Sequence, residues 1–567
     1  MSVRLDVAAV ALVVLATLGI GAYALRLVRT TSDLLVASRS VRPLWGASAI
    51  GGEYLSAASF LGVAGLVLAY GVDMLWYPVG FVAGYLVLLL FVAAPLRRSG
   101  AYTLPDFAEA RLGSRRVRRL ASALVVAIGW LYLVPQLQGA GLTLRLATGA
   151  PVWVGAVLVA VVVVLNVAGG GMRSATFVQA FQYWLKLTAL AVPALVLVLA
   201  WRADGSPGVT GPAPPVFREQ TVVRVDADVR TVAPAPVEVL LDGAPVLLDG
   251  PVELRSGSTV VFPAGAPVPH VEHLAPSSGA AWARPLSGAG GLSHPLYATY
   301  ALALATFLGT MGLPHVLVRF YTNPDGATAR RTTLVVLALL GAFYLLPTVY
   351  GVLGRLYTPE LLLTGRTDAV VLALPGALVG GLAGQLLEAL LVAGAFAAFL
   401  STSSGLLVST AGVLVQDVLR GPPGRGQHAQ FGRATVLAGS VPLLLALPAS
   451  GLAVGQVVGL AFAVAASTFC PLLVLGIWWR GLTAAGATAG MVAGGALSSA
   501  AVLATLTGLV ERGWPEALLA QPAAWTVPVA FLVMVGVSLA TRARVPADVG
   551  RTMLQLHAPE QLGLSKA

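Results

Sequence analysis

The sequence predicts an all-α polytopic membrane protein with about 13 transmembrane helices. Its 567 residues are 57% hydrophobic and only 10% charged, and the mean hydropathy is +0.85. The chain therefore carries more apolar surface than one aqueous core can bury. Apolar runs of membrane-spanning length recur along it. Arginines gather in the connections after every second run, which is typical of the inner side of a membrane.

A helix that crosses a membrane needs about 20 mainly apolar residues. The first run is followed by arginines and no clear cleavage site, so we interpret it as a retained helix and not as a signal peptide. The predicted spans are 5–27, 44–70, 75–96, 119–146, 152–171, 175–201, 294–318, 332–356, 380–415, 433–449, 452–478, 484–509 and 525–541.

The arginine positions also predict the orientation. Basic connections follow the first, third, fifth, seventh and ninth spans, with Arg29, Arg97, Arg173, Arg330, Arg420 and Arg425 among them. The positive-inside rule then puts the N-terminus outside and the C-terminus in the cytoplasm of a multi-pass inner (plasma) membrane protein. Because these arginines act as topology signals, the formal charge of +11 does not indicate a nucleic-acid partner. The expected surroundings are membrane lipid.

The chain divides into five predicted parts. The segment 203–293 is rich in Pro, Gly and Asp and has short alternating stretches before Asp242-Gly243 and Asp249-Gly250, which predict strands and turns. We interpret it as an external insertion, either a variable surface loop or a lid or partner-binding element. The parts are an accessory helix and inner loop (1–43), a first bundle (44–202), the insertion (203–293), a second bundle (294–480), and accessory helices with a cytoplasmic tail (481–567).

The second span is a poor uninterrupted helix. Gly51, Gly52 and Glu53 lie in its middle, among small residues. A carboxylate inside a membrane usually faces protein or water, and a broken helix exposes carbonyl groups that can bind a cation. The alternative is close helix packing through small residues, with Glu53 paired structurally.

The ninth span carries a dense group of hydroxyls from Ser401 to Thr410. Ser401 and Thr402 could offer oxygen ligands to a hard cation such as sodium. The alternative is that these hydroxyls bond to their own helix or to neighbouring helices.

Two further spans contain breaks. Pro135 stands beside Gln136 and Gln138 in the fourth span, and Gly309-Thr-Met-Gly-Leu-Pro-His315 interrupts the seventh. Breaks in corresponding segments of two halves point to a transport site. The glutamines could instead only satisfy backbone groups near Pro135, and His315 could carry a proton or serve a structural role.

Several function classes are disfavoured. The chain has no Gly-rich loop ending in Lys-Ser or Lys-Thr, no Cys/His set with metal-ligand spacing, and no nucleophile, base and metal constellation, so it is not expected to be an enzyme or an ATP-driven pump. Its single cysteine, Cys470, is expected to be a small buried side chain.

Taken together, these segments resemble the sodium/solute symporter family, and within it the acetate permease or monocarboxylate (cation/acetate symporter) branch. The resemblance covers nearly the whole chain except the insertion. It depends on Gly52-Glu-Tyr-Leu-Ser-Ala-Ala-Ser-Phe-Leu-Gly62, Gly171-Met-Arg-Ser-Ala-Thr-Phe-Val-Gln179, Gly309 to His315 with Arg319-Phe-Tyr-Thr322, and Ala397 to Asp417. One departure is Glu53, where the branch typically has Asp.

The resemblance implies a leucine-transporter-like core of two inverted five-helix repeats, formed by the second to sixth and seventh to eleventh spans. It also implies a sodium site between the broken first core helix and the eighth. The ligands would be the carbonyls of Gly52 and Leu55, the carbonyl of Ala398, and the hydroxyls of Ser401 and Thr402. Gly51 is the alternative to Gly52.

The function implied by the resemblance is uptake of a small monocarboxylate such as acetate, driven by a coupling cation, Na+, with no organic cofactor. Candidate substrate or coupling residues are Glu53, Tyr54, Ser56, Gln136 and Gln138. A proton-coupled carboxylate symporter, a symporter of another small solute, and a transporter-like membrane sensor are the alternatives. The sequence does not indicate an oligomeric state.

Overall fold

The computed structural model describes residues 3–26, 31–39, 41–211, 213–225, 228–272, 274, 278–286, 294–419, 427–447, 454–507, 509 and 513–559. Arg29, Arg420 and Arg425, which support the predicted topology, lie outside these ranges, as do the predicted span ends at 27, 449 and 452.

The membrane part of the chain is helical. The helices before the insertion are α1 (Val3–Leu25), α2 (Thr31–Val36), α3 (Pro43–Tyr54), α4 (Val63–Tyr70), α5 (Trp76–Val87), α6 (Ala93–Arg98), α7 (Leu104–Leu112), α8 (Arg115–Thr148) and α9 (Val152–Ala203). Those that follow are α10 (Gly279–Trp282), α11 (Pro295–Gly312), α12 (Pro314–Val318), α13 (Gly326–Tyr357), α14 (Leu361–Thr364), α15 (Val370–Leu378), α16 (Gly381–Val413), α17 (Gln427–Ala446), α18 (Val454–Trp478), α19 (Ala484–Leu506), α20 (Gly513–Ala520), α21 (Ala523–Ala540) and α22 (Val549–His557).

Short turns of other helix types join or extend these elements. The π-helical turns are Ala58–Gly62, Leu88–Val92 and Leu414–Val418, and the 3₁₀ turns are Ala37–Arg39, Val72–Leu75, Arg319–Thr322, Thr367–Ala369 and Arg542–Arg544.

Within the described residues, eleven helices are long and apolar enough to cross a membrane, and the bent pair Pro43–Tyr54 and Ala58–Tyr70 adds a twelfth span. The 52-residue helix α9 contains one residue with non-helical backbone angles, Gly171, at φ 54° and ψ −141°. A side chain is rarely stable at this positive φ, which favours glycine. If the kink at Gly171 is taken to divide α9 into two spans, the total is the predicted thirteen.

Two spans are broken in their middle. The second bends by 71° between Pro43–Tyr54 and Ala58–Tyr70. In the seventh, α11 ends at Gly312 and Leu313 is extended (φ −73°, ψ 115°) before α12 begins at Pro314. Proline lacks the backbone N–H that a continuous helix would use, and it disfavours helical angles in the preceding residue. The breaks therefore come at the first span of each predicted repeat.

Helix α16 lies at the centre of the bundle. It packs against α9, α8, α3 and α1, and its middle is completely buried. Glycines make this close packing possible: a Cβ on Gly394 would lie 2.4 Å from the Cβ of Ala189, and one on Gly405 would lie 2.1 Å from the Glu53 carboxyl carbon. The broken second span is thus held directly between α9 and α16.

The insertion contains a small antiparallel sheet with its own core. Its strands are β1 (Thr221–Arg224), β2 (Val229–Leu241), β3 (Ala244–Leu254), β4 (Thr259–Phe262) and β5 (His270–Val271). The order is β1-β4-β2-β3, and β5 pairs with β2. Asp242 and Gly243, at φ 51° and 85°, form the tight turn between β2 and β3 that the Asp-Gly pair predicts. Phe217 and Phe262 stack in the core, 4.6 Å apart.

After the sheet, the chain returns to the bundle and is tied to the second span. The Trp282 indole donates to the carbonyls of Val67 (3.0 Å) and Leu68 (3.2 Å). The Leu286 backbone N–H donates to Asp73 at 2.5 Å. Gly71 (φ 81°) lets the two segments approach, because a Cβ there would lie 2.1 Å from the Trp282 carbonyl oxygen.

Candidate functional site

The break in the second span exposes backbone carbonyls inside the protein. The last residues of α3 are completely buried, and Leu55 leaves the helix at φ −73° and ψ 82°. A side chain on Gly52 would meet the backbone carbonyl oxygen of Gln179, 2.2 Å from the Cβ position. The small residues that predicted a break thus allow α9 to approach the exposed carbonyls directly.

Helix α16 crosses this break and contributes its hydroxyls in two ways. The Thr402 hydroxyl donates to the Glu53 carbonyl at 2.6 Å, so it joins α16 to the end of α3. The Ser401 hydroxyl donates to the Ala398 carbonyl in its own helix at 3.1 Å. Ser404 bonds back to Leu400 at 2.7 Å. These hydroxyls thus bond to their own helix or to the end of α3, which is the alternative to cation coordination that the sequence left open.

The structure places an ammonium group among the oxygens that were expected to bind sodium. Lys186, from α9, is completely buried. Its Nζ donates to the Gly52 carbonyl (2.5 Å), the Leu55 carbonyl (2.7 Å) and the Ser401 hydroxyl (2.9 Å). An ammonium has three N–H donors, and each finds an acceptor here.

With Lys186 in this position, the oxygens cannot also accommodate a sodium ion. Two unit charges about 4 Å apart repel by about 4 kcal/mol at an effective dielectric constant of 20. Lys186 already uses three of the five predicted ligand groups, and the other two, the Ala398 carbonyl and the Thr402 hydroxyl, are bonded within the protein. Three of these groups thus lie around the Lys186 side chain.

Beside this group lies a buried ion pair. Arg319 follows α12, and its Nε donates to the Glu53 carboxylate; the two side chains are 2% and 1% exposed. Arg319 also donates to the Thr176 hydroxyl (3.0 Å) and to the Gln179 side-chain oxygen. Gln179 in turn donates from Nε2 to the Ser401 carbonyl at 2.7 Å. The end of α3, the turn that follows α12, helix α9 and helix α16 thus meet in one hydrogen-bonded network.

Sequence reasoning did not assign roles to Lys186 and Arg319. Both had a usable signal. Lys186 is the only charged residue between Arg173 and Arg202 in a long apolar segment, and an intramembrane charge is rare without a function or a partner. Likewise, the carboxylate of Glu53 required a cationic partner. What the sequence did not contain was the pairing, because Lys186 lies 134 residues from Gly52 and Arg319 lies 266 residues from Glu53.

Tyrosine and serine hydroxyls line the other side of the break. Tyr54 shares a hydrogen bond with Thr310 of α11 (2.7 Å), and the Tyr132 hydroxyl donates to Ser56 at 3.3 Å. Ser59 and Tyr344 are joined at 2.8 Å. The predicted residues Tyr54 and Ser56 are therefore brought together with groups from α8, α11 and α13, all of them buried.

The two glutamines of the fourth span differ in position. The Gln136 side-chain oxygen accepts from the Ala57 backbone N–H at 3.0 Å, so it stabilises the break. Its Nε2 is buried and has no hydrogen-bond partner among the described residues. Gln138 lies two residues further along α8, on the opposite side of the helix, and is partly exposed. Gln136 therefore lies against the break, whereas Gln138 is on the opposite side of α8.

His315 is buried at the start of α12, next to the hydroxyl groups. Its ring lies 5.2 Å from that of Tyr132 in an edge-to-face contact. Neither ring nitrogen has a hydrogen-bond partner in the described part of the chain.

A cavity of about 230 Å³ opens on the insertion side of the break, between the end of α4, the start of α5, α11 and α18. Tyr70, Asp73 and Tyr77 are among its lining residues. The Tyr77 ring lies 6.0 Å from Phe81, which lies 5.9 Å from Tyr54. A layer of aromatic rings thus separates the cavity from the break.

Sequence comparisons match the chain to one family of transporters. The model of the sodium:solute symporter family matches residues 34–205 and 276–494. The uncharacterized symporter YwcA of Bacillus subtilis is 30% identical over 530 residues, covering 91% of this chain and 90% of that protein. A monocarboxylic acid transporter of Corynebacterium glutamicum is 30% identical over 511 residues, covering 85% and 82%.

Solved structures share the fold. A Na+-coupled sialic acid symporter in a substrate-bound outward-open state superimposes with a TM-score of 0.60 at 15% identity, over 94% of this chain and 98% of that one. Mhp1, a nucleobase-cation-symport-1 family transporter, superimposes with a TM-score of 0.52 at 13% identity, over 93% and 99%. These likenesses confirm the leucine-transporter-like helical fold. The family and the relatives are transporters and not enzymes. Because the family model matches more than half of the chain, and both relatives are 30% identical over most of it, the chain belongs to the sodium:solute symporter family.

Proposed function

We propose that this cation-coupled symporter takes up a small monocarboxylate such as acetate. The observation that carries the proposal is the buried polar surface beside the broken second span. Gln136 Nε2 and the Tyr85 hydroxyl are donors without a hydrogen-bond partner among the described residues, and each neighbours the break: Gln136 bonds to Ala57, and the Tyr85 ring packs 4.8 Å from Tyr54. Unpaired buried donors are costly, and a carboxylate would satisfy them.

The surroundings of this surface suit a small acid. Neighbouring aromatic rings of Tyr54, Phe81, Tyr132 and Phe462 lie 5.0–6.4 Å apart, and their apolar faces would suit the short apolar chain of such an acid. The Corynebacterium relative is named as a monocarboxylic acid transporter, which supports the same substrate class. Another small solute is the alternative substrate, and a membrane sensor the alternative role.

The cation site of this transporter is proposed to be the oxygen set of Gly52, Leu55, Ala398, Ser401 and Thr402, with Glu53 as a coupling residue through Arg319. Sodium as the coupling ion is supported by the family to which the chain belongs. Proton-driven symport is the second candidate, and it is favoured by the ammonium that these oxygens already hold.

Uptake of labelled acetate into proteoliposomes tests the proposed function. An imposed sodium or proton gradient is expected to concentrate acetate inside, and unlabelled propionate or pyruvate is expected to compete, because each presents one carboxylate on a short chain. Glucose and proline are the controls and are not expected to compete. Strong competition by proline, or no concentrative uptake under either gradient, would contradict the monocarboxylate assignment.

The proposed orientation has the insertion and the N-terminus outside and the C-terminus in the cytoplasm. Cys470 is the only cysteine and is completely buried, so an introduced cysteine can be labelled selectively. We expect Leu247→Cys, at an exposed position of β3, to react with an impermeant maleimide in intact cells. Arg116→Cys, exposed at the start of α8, is expected to react only after permeabilisation. The reverse pattern would overturn this orientation.

A further inference from the structure

We infer that the ε-ammonium of Lys186 is the resident cation of the broken-helix site and replaces the sodium ion that its oxygens would otherwise bind. The inference rests on the proposed function in that these oxygens are taken as the cation site of the transporter. Of the two coupling ions proposed for that site, it favours the proton over sodium. It concerns which cation they hold, and not which solute is carried.

The geometry of the ammonium is the first argument. Nζ contacts oxygens from both sides of the gap between α3 and α16, two carbonyls at the break and one hydroxyl on α16, at 2.5–2.9 Å. Lys186 itself is anchored in α9, so its side chain joins the two elements that a bound ion would join, the broken second span and α16, and links both to α9. The site is closed around it, since Lys186, Leu55 and Ser401 are 0% exposed.

Charge is the second argument. The Arg319 guanidinium pairs with Glu53, so these two charges offset each other. Glu53, the acidic side chain at the break, is thus already paired. The ammonium therefore gives the site one net positive charge, the same as a bound sodium ion would give. A sodium ion added beside Lys186 would double that charge in a buried environment, where desolvated like charges repel strongly.

Occupancy by Lys186 also explains why the hydroxyls bond as they do. With the ammonium donating to Ser401 Oγ, the hydroxyl proton must point elsewhere, and it goes to the Ala398 carbonyl. The Thr402 hydroxyl, which the ammonium does not reach, donates to the Glu53 carbonyl. Both hydroxyls thus have partners without a metal ion.

Binding of radioactive sodium to the purified, detergent-solubilised protein tests the inference without any substrate. The wild type is expected to show no saturable binding at this site. Lys186→Ala removes the ammonium and frees three oxygens, so saturable sodium binding is expected to appear, at roughly ten times or more the background retained by the wild type, since the repelling charge is gone. Lys186→Gln is the second variant for the same effect, should the alanine variant fold poorly in size-exclusion chromatography.

Two matched variants make the test specific. Lys186→Arg keeps the positive charge and is expected to bind no more sodium than the wild type. Adding Ser401→Ala to Lys186→Ala removes one freed ligand and is expected to reverse the gain. Saturable binding in the wild type that Ser401→Ala abolishes, or no gain in folded Lys186→Ala and Lys186→Gln, would overturn the inference. Because no carboxylate is present, failure of acetate uptake would contradict only the proposed substrate.

Discussion

Arg319→Ala is expected to produce the largest loss of stability and of transport among single side-chain truncations at the site. It leaves the Glu53 carboxylate, 1% exposed, without its counter-charge, and breaking a buried ion pair in this way typically costs about 3–5 kcal/mol. It also removes the donors to Thr176 and Gln179. The measurements are thermal unfolding in detergent and uptake in proteoliposomes.

A double variant separates the effect of an unpaired charge from the effect of lost side-chain volume. Glu53→Gln combined with Arg319→Met removes both charges, and we expect it to recover much of the stability but not the transport, because replacing both partners avoids an unpaired buried charge. Arg330→Ala, at an exposed position on α13, is the matched control and is expected to unfold like the wild type. If Arg319→Ala did so as well, the ion pair would not stabilise the closed network.

Gly52→Ala is expected to be nearly as damaging, although it adds only one methyl group. The new Cβ would lie 2.2 Å from the Gln179 carbonyl oxygen, which belongs to a helix backbone and cannot rotate away. Forcing an extra carbon into a packed interior typically costs about 1–3 kcal/mol, and α9 must withdraw, taking Lys186 from its acceptors. We expect lower thermal stability and loss of uptake.

Gly341→Ala is the control for this substitution. Gly341 lies inside α13, and a Cβ there would meet no atom within 4 Å. Alanine in a helix interior is about 0.5–1 kcal/mol more favourable than glycine, so this variant is expected to be at least as stable as the wild type. Equal behaviour of the two variants would contradict the close approach of α3 and α9.

The helical fold was predictable because a segment that crosses lipid must be a long apolar helix, and long apolar runs are visible locally in the sequence. A break near Gly51, Gly52 and Glu53 was visible for the same reason, since small and ionisable residues stand out in such a run. The chain leaves the helix just after them, at Leu55. The boundary between the fifth and sixth spans was predicted as well, but the coordinates were needed to show that the chain turns there through a positive φ at Gly171.

The partners within the site were not predictable to the same degree. Hydropathy describes a segment by its composition and does not tell which face of α9 meets which carbonyl. The oxygen atoms around Lys186 could be named from the family resemblance. That resemblance implied a sodium ion as their partner, however, and gave no reason to consider a lysine on a neighbouring helix. The Glu53 pair with Arg319 likewise joins two segments whose separation along the chain hides their contact.

The segment that leads from the sheet back to the bundle, with Trp282 and Leu286, has a mechanical consequence. Trp282 and Leu286 bond to residues at the far end of the second span, while the sheet core includes Leu363 from α14. If α4 tilts during a transport cycle, the sheet must either travel with it or release α14. An antibody fragment whose epitope includes both the sheet and α14 would then bind more tightly to the state in which these two are in contact. By reciprocity, it would change the apparent substrate affinity by the same factor, without touching the substrate pathway.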